Sequence, residues 1–197
     1  MNATFDPHHT AVLALDCQTG VVSVYAKPQD EFIARAADVL NATRAIVMPV
    51  IQVLVGFRPD LPEVSARNKL IGAIKASKPH QDFFQGSSGA IHPALGPKPD
   101  DILIVKHRIS AFARTDLDMI LRAKEIHTIV LFGIATSGVV LSTLLHASDY
   151  DYRIVVIEDC CADLDLELHS ALVRRFFPTR ADVMSAKSFV ALLQNLG

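Results

Sequence analysis

The strongest constraint in this chain is a recurring pattern. A strand-length apolar run, without internal alternation, ends at a charged residue or a glycine. Thr10 to Leu15 stops at Asp16, Ile46 to Val55 at Gly56, and Asp101 to Val105 at Lys106. His127 to Phe132 stops at Gly133 and Arg153 to Ile157 at Glu158, with Ala181 to Met184 as a last short candidate. Unbroken apolar runs of this length mark strands buried on both faces, as in a parallel sheet covered by helices.

Helical patterns fill the intervals. Asp30 is placed to cap a helix through Phe32, Ala36, Val39 and Leu40, and Thr115 with Asp118 resembles a capping box. Leu117, Ile120, Leu121 and Ala123 follow at helical spacing. Ser137 to Ser148 is apolar enough for a buried helix, and the apolar excess of several helices, notably Val139 to Ala147, hints at subunit contacts as well as sheet packing. Leu168, Leu172, Val173 and Phe176 form one stripe that Pro178 stops, and Ser185 to Leu193 is a final helix. Strands alternating with helices predict one α/β domain over residues 1–197, a three-layer α/β/α sandwich with right-handed crossovers.

Residues 57–99 break the rhythm. Pro59, Pro62, Pro79, Pro93, Pro97 and Pro99, with Pro49 just before, and the stretch Gly86-Ser-Ser-Gly89 predict a long excursion with a short helix near Ala66 to Ala76. Long loops in compact domains are usually functional.

The balance of 19 Lys+Arg against 21 Asp+Glu gives a net charge of −2. No basic cluster is present, which argues against a nucleic-acid partner. Apolar runs fall far short of the roughly 20 residues of a membrane span. The first residues lack the basic-then-apolar order of a signal peptide. Cys17, Cys160 and Cys161 are odd in number, two of them adjacent, which suits a reducing compartment better than a disulfide framework. A cytoplasmic, membrane-free protein is expected.

Ligands of open α/β sheets bind beyond the carboxyl ends of the strands. The polar residues there nominate a site: Asp16 and Gln18, Gly56 to Arg58, Lys106 to Ser110, Ala135 to Ser137, and Glu158 to Asp163. A carboxylate after an apolar strand is desolvated, and a lysine at a second strand end would offset that. Such a pair can orient a proton transfer, or it can be a structural ion pair. The small residues of Gly133-Ile-Ala-Thr-Ser-Gly-Val139 let backbone N–H groups face a ligand oxygen, or form an ordinary strand-to-helix turn. His8, His9, His80, His92, His107, His127, His146 and His169 are scattered without metal-ligand spacing, so no metal is expected. The acidic group Glu158, Asp159, Asp163 and Asp165 reads as a solvated loop with a helix cap. Arg58, Arg108, Ser110 and Phe112 are further pocket candidates; Arg58 has the fork to clamp an anion.

Taken together, AVLALDCQTG, VGFRP, the K-x-R-x-S-A-F segment within DDILIVKHRISAFARTDLDMILRAKEI, GIATSGVVLSTLLHASDYDYRIVVIEDCCADLD and HSALVRRFFPTRADVMSA resemble the isochorismatase-like hydrolases, also called cysteine hydrolases. The resemblance spans nearly the whole chain. It implies a doubly wound, largely parallel sheet of about six strands. It also implies a small-molecule substrate, no cofactor and a homo-oligomer. Asp16 takes the place of the family's proton acceptor and donor, and Lys106 that of the lysine holding it ionised. The turn Ile134, Ala135, Thr136, Ser137, Gly138 and Val139 takes the place of the family's oxyanion turn, with a non-proline cis peptide expected between Ile134 and Ala135.

The chain departs from the family at one decisive position. Val139 stands where the family cysteine sits, and an isopropyl group cannot attack a carbonyl. No other thiol repairs this on the linear reading. Cys17 adjoins Asp16 and would face the opposite way, while Cys160 and Cys161 follow the next strand. The metal-site histidines of nicotinamidase-like members are missing after VGFRPDLP. Two readings survive. One is a hydrolase that works through Asp16 and Lys106 without a thiol, as the isochorismatase branch does when it protonates a vinyl ether. The other is a catalytically silent binder that keeps the fold.

Overall fold

The computed structural model describes residues 6–196. Its centre is a parallel sheet of β1 (Thr10–Leu15), β2 (Val50–Val55), β3 (Ile102–Lys106), β4 (Thr128–Ile134), β5 (Arg153–Ala162) and β6 (Asp182–Met184), in the order β3-β2-β1-β4-β5-β6. The chain winds outward from β1 through β2 to β3, then returns to the far side of β1 for β4 to β6. This is the doubly wound order expected, and its switch point lies between β1 and β4. All six residues of β1 are buried, as are Ile129 to Ile134 of β4, so the central strands carry aliphatic side chains on both faces.

Helices flank the sheet, completing the α/β/α sandwich. They are α1 (Thr19–Tyr25), α2 (Gln29–Ala45), α3 (Lys69–Lys75), α4 (Lys78–Phe83), α5 (Gly86–Gly89), α6 (Leu117–Ala123), α7 (Leu141–Asp149), α8 (Leu166–Ala171) and α9 (Ala186–Gln194). α2 packs along α9, and α7 packs on β5. Val140, Leu144 and Ala147 are fully buried against the sheet, as the expected sheet packing requires, and Leu145 is exposed. No helix among the described residues is long and apolar enough to cross a membrane.

Several local expectations change. α2 runs through Ala45 and the chain then turns at Val47, with φ of 60°, so β2 starts at Val50 and not at Ile46. Pro28 is the N-cap of α2; Asp30 lies inside its first turn, where a carboxylate suits the positive end of the helix dipole. Asp116, not Thr115, is the N-cap of α6. Thr115 Oγ1 accepts from the Leu117 amide, and Asp118 pairs with Arg122 and Tyr152 instead of closing a box. The predicted Ser137–Ser148 helix opens with a π turn, Thr136–Val140, before α7. β5 runs five residues past its apolar run, so Cys160 and Cys161 lie within it and not after it.

The excursion is a small cap with its own apolar centre. Leu61, Val64, Ile71 and Ile74 bury one another, with Phe57, Phe84 and Ile109 packed against them.

Candidate active site

Asp16 leaves β1 with φ of 53° while its amide still donates to Val53 O at 2.8 Å. This bend ends the strand and turns the carboxyl inward. Lys106, the last residue of β3, is 1% exposed. The two strands are not neighbours, because β2 lies between them, and the long lysine stem crosses its end. Nζ donates to Asp16 Oδ2 at 2.8 Å and to Arg108 O at 3.2 Å. Asp16 Oδ1 is buried without a hydrogen-bond partner. Burial pushes the Asp16 carboxyl above the usual carboxylate range, and the Lys106 charge pulls against that shift.

The turn lies across the switch point. Gly133 has φ of 139°, and a Cβ there would fall 2.0 Å from Leu15 O, so only glycine lets β4 pass β1 at this point. The Ile134–Ala135 peptide is cis. Val139 is buried at 3% exposure. Two of the amides expected to face a ligand are engaged within the protein. Ser137 N–H donates to Asp163 Oδ2 at 2.7 Å, and Gly138 N–H to Ala135 O at 3.1 Å. The Thr136 hydroxyl lies 2.8 Å from His169 Nδ1 and 3.2 Å from Ala162 O.

Asp163 is therefore no solvated loop residue. It is 8% exposed and anchors the turn. Its position directly after β5 was the available signal, obscured by the run of acids around it. Asp159 is likewise committed: its Oδ1 accepts from Ala186 N at 2.7 Å, at the start of α9.

The other pocket candidates differ sharply in what their head groups do. Gln18 is fully buried; its Nε2 donates to Val55 O and Gly89 O, and its Oε1 accepts from Val55 N. It ties the exit of the cap to the end of β2. Arg108 donates to His107 O and Glu63 O, fastening the entry of the cap to the lysine segment. Ser110 Oγ meets His146 Nδ1 at 3.1 Å, and Phe112 packs against His146, Tyr150 and Tyr152. The Arg58 side chain is 65% exposed, with Nη1 4.0 Å from Glu63 Oε1.

The three cysteines are free and buried. Burial pushes their thiols up, that of Cys161 to about 12. None is poised as a thiolate near neutral pH.

Residues 10–188 match the family model of the isochorismatase domain. The chain belongs to the isochorismatase family. Among its relatives, it is 32% identical over 187 residues to the isochorismatase family protein YecD of Escherichia coli, covering 93% of this chain and 96% of YecD. It is 30% identical over 210 residues to the ureidoacrylate amidohydrolase RutB of Methylobacterium radiotolerans, covering 93% of this chain and 80% of RutB. An isochorismatase family protein from Burkholderia thailandensis superposes with a TM-score of 0.83 at 32% identity, over 97% of this chain and 98% of that one.

Proposed function

We propose that this isochorismatase-family hydrolase acts on a small, anionic or amide-like metabolite through Asp16 and Lys106, without a cysteine nucleophile. The observation that carries this is the asymmetry of one carboxyl group. Asp16 Oδ2 is held by Lys106 Nζ at 2.8 Å, while Oδ1 is buried and unpartnered. A buried acceptor without a partner costs about 1–3 kcal/mol, and this one stands at the carboxyl ends of the central strands, where ligands of such sheets bind. Oδ1 is the atom that gives or takes the proton, and its desolvation strengthens the carboxyl's hold on that proton. Lys106 anchors the carboxyl and lends positive charge to an anionic group of the substrate. Water is then the nucleophile, attacking the carbon activated by protonation.

The RutB relative is named an amidohydrolase, which supports an amide-like substrate. Val139 favours the second reading, a silent small-molecule binder. One experiment separates the two. Wild type and Asp16→Asn are incubated with small amides, ureides, carboxylic acids and vinyl ethers, and both binding and product are followed by mass spectrometry. Product that disappears in Asp16→Asn supports the hydrolase. Saturable binding with no product from any compound supports the binder.

A further inference from the structure

Asp163 and His169 both come from the segment after β5, and they take hold of adjacent residues of the turn. The Asp163 carboxylate bridges two elements: Oδ2 accepts from the Ser137 amide at 2.7 Å, and Oδ1 accepts from the Asp165 amide at 3.3 Å. Asp165 in turn caps α8, its Oδ1 accepting from Leu168 N at 2.9 Å. That cap fixes the first turn of α8, on which His169 stands. His169 Nδ1 meets the Thr136 hydroxyl at 2.8 Å.

Thr136 is fully buried, so its hydroxyl has to be satisfied inside the protein. It has one proton to give. One arrangement satisfies all the partners: the hydroxyl donates to Ala162 O and accepts Nδ1–H from a neutral imidazole. The charges around that ring are Asp163, Glu158 and Arg174, and its burial holds its pKa below the ordinary histidine value. A backbone amide and a neighbouring side chain, two and three residues before Val139, are thus gripped from one external segment.

We propose that Asp163 and His169 are positioning residues that hold the Ile134–Val139 turn toward the Asp16–Lys106 pair without touching the reacting atoms. This rests on the reading above of Asp16 and Lys106 as the reactive pair, and adds to it that the turn lines the same site. On this proposal, losing either grip frees the turn to shift and changes the surroundings of residue 139.

The test uses a thiol as a position reporter. Val139→Cys is made in the full chain and its labelling by iodoacetamide is timed, with buried Cys17, Cys160 and Cys161 as internal monitors of general opening. Asp163→Ala and His169→Ala are each added to that background, alongside Asp163→Asn and His169→Asn, which keep a polar partner at the same place. If the turn faces the pair, Val139→Cys should label faster than the native thiols, because the Lys106 charge would then favour its thiolate. Either alanine change should lower that rate about tenfold or more while the native thiols stay protected. Either asparagine change should restore it to within about threefold. A rate unchanged by the alanine substitutions overturns the clamp and leaves the site reading intact. A change matched by labelling of the native thiols also overturns it, because general loosening then accounts for the effect. A reporter cysteine that labels no faster than the native thiols in any background overturns both the clamp and the convergence of the turn with Lys106.

Discussion

β3 carries an ion pair at each end, half-buried at one and fully buried at the other, and the two differ in what they offer a reaction. At the amino end, Asp101 accepts from Arg44 Nε and Nη2, from the Lys98 amide and from Gln52 Nε2. Those bonds and the Arg44 charge outweigh its burial and hold the Asp101 carboxyl below the usual range. The unsatisfied atom there is on the arginine, at Nη1. At the carboxyl end, Asp16 has one partner, one orphan oxygen and a raised pKa. A carboxylate saturated with donors is built to stay ionised and hold structure. A carboxylate left half-satisfied is built to exchange a proton.

The same chemical change at the two ends should therefore separate in turnover. Asp16→Asn should lower turnover per folded molecule about a hundredfold to ten-thousandfold, and it should also cost about 3 kcal/mol in urea unfolding, because Lys106 is left buried without its counter-charge. Asp101→Asn should leave turnover per folded molecule intact and cost about 1–3 kcal/mol in urea unfolding, because it removes the charge from a half-buried pair. If Asp101→Asn abolishes activity at full stability, the division between the two ends is wrong.

Acid and base should separate the ends next. Asp101 contributes stability that is present above its ordinary value of 3.8 and lost as pH falls through its depressed folded value. Asp16 runs the other way. Its contribution is present below 3.8 and is lost as pH rises through its raised folded value. Thermal melts of wild type and the two asparagine variants across pH should show these opposite slopes. As a general acid, Asp16 should also make kcat/KM fall as pH rises through that raised value. The smallest effect belongs to Arg58→Ala. Its exposed side chain should shift stability within about 0.5 kcal/mol, and weaker binding of an anionic ligand should be the larger change.

Strand positions were legible because central strands cannot hide polar residues, so each apolar run marks a strand and each first polar residue its end. Asp16, Lys106 and the turn follow from that rule. β5 escaped it, since Glu158 and Asp159 extend the strand while looking like a loop; Asp159 spends its carboxylate on the start of α9. Gln18 and Arg108 pointed to a pocket by their position, yet their head groups tie down the two feet of the cap. The place of Asp163 after β5 nominates it for the site, but the amide it holds lies 26 residues away in sequence and no local pattern names that partner.

The central claim is that chemistry here runs through a carboxyl and a lysine, with no thiol. It is tested most directly by setting Asp16→Asn beside a variant with Cys17, Cys160 and Cys161 all changed to alanine, on any substrate that wild type converts. Product release measured by mass spectrometry should persist in the thiol-free protein and vanish in Asp16→Asn. Loss of product in the folded thiol-free protein, with turnover surviving in Asp16→Asn, would contradict the account.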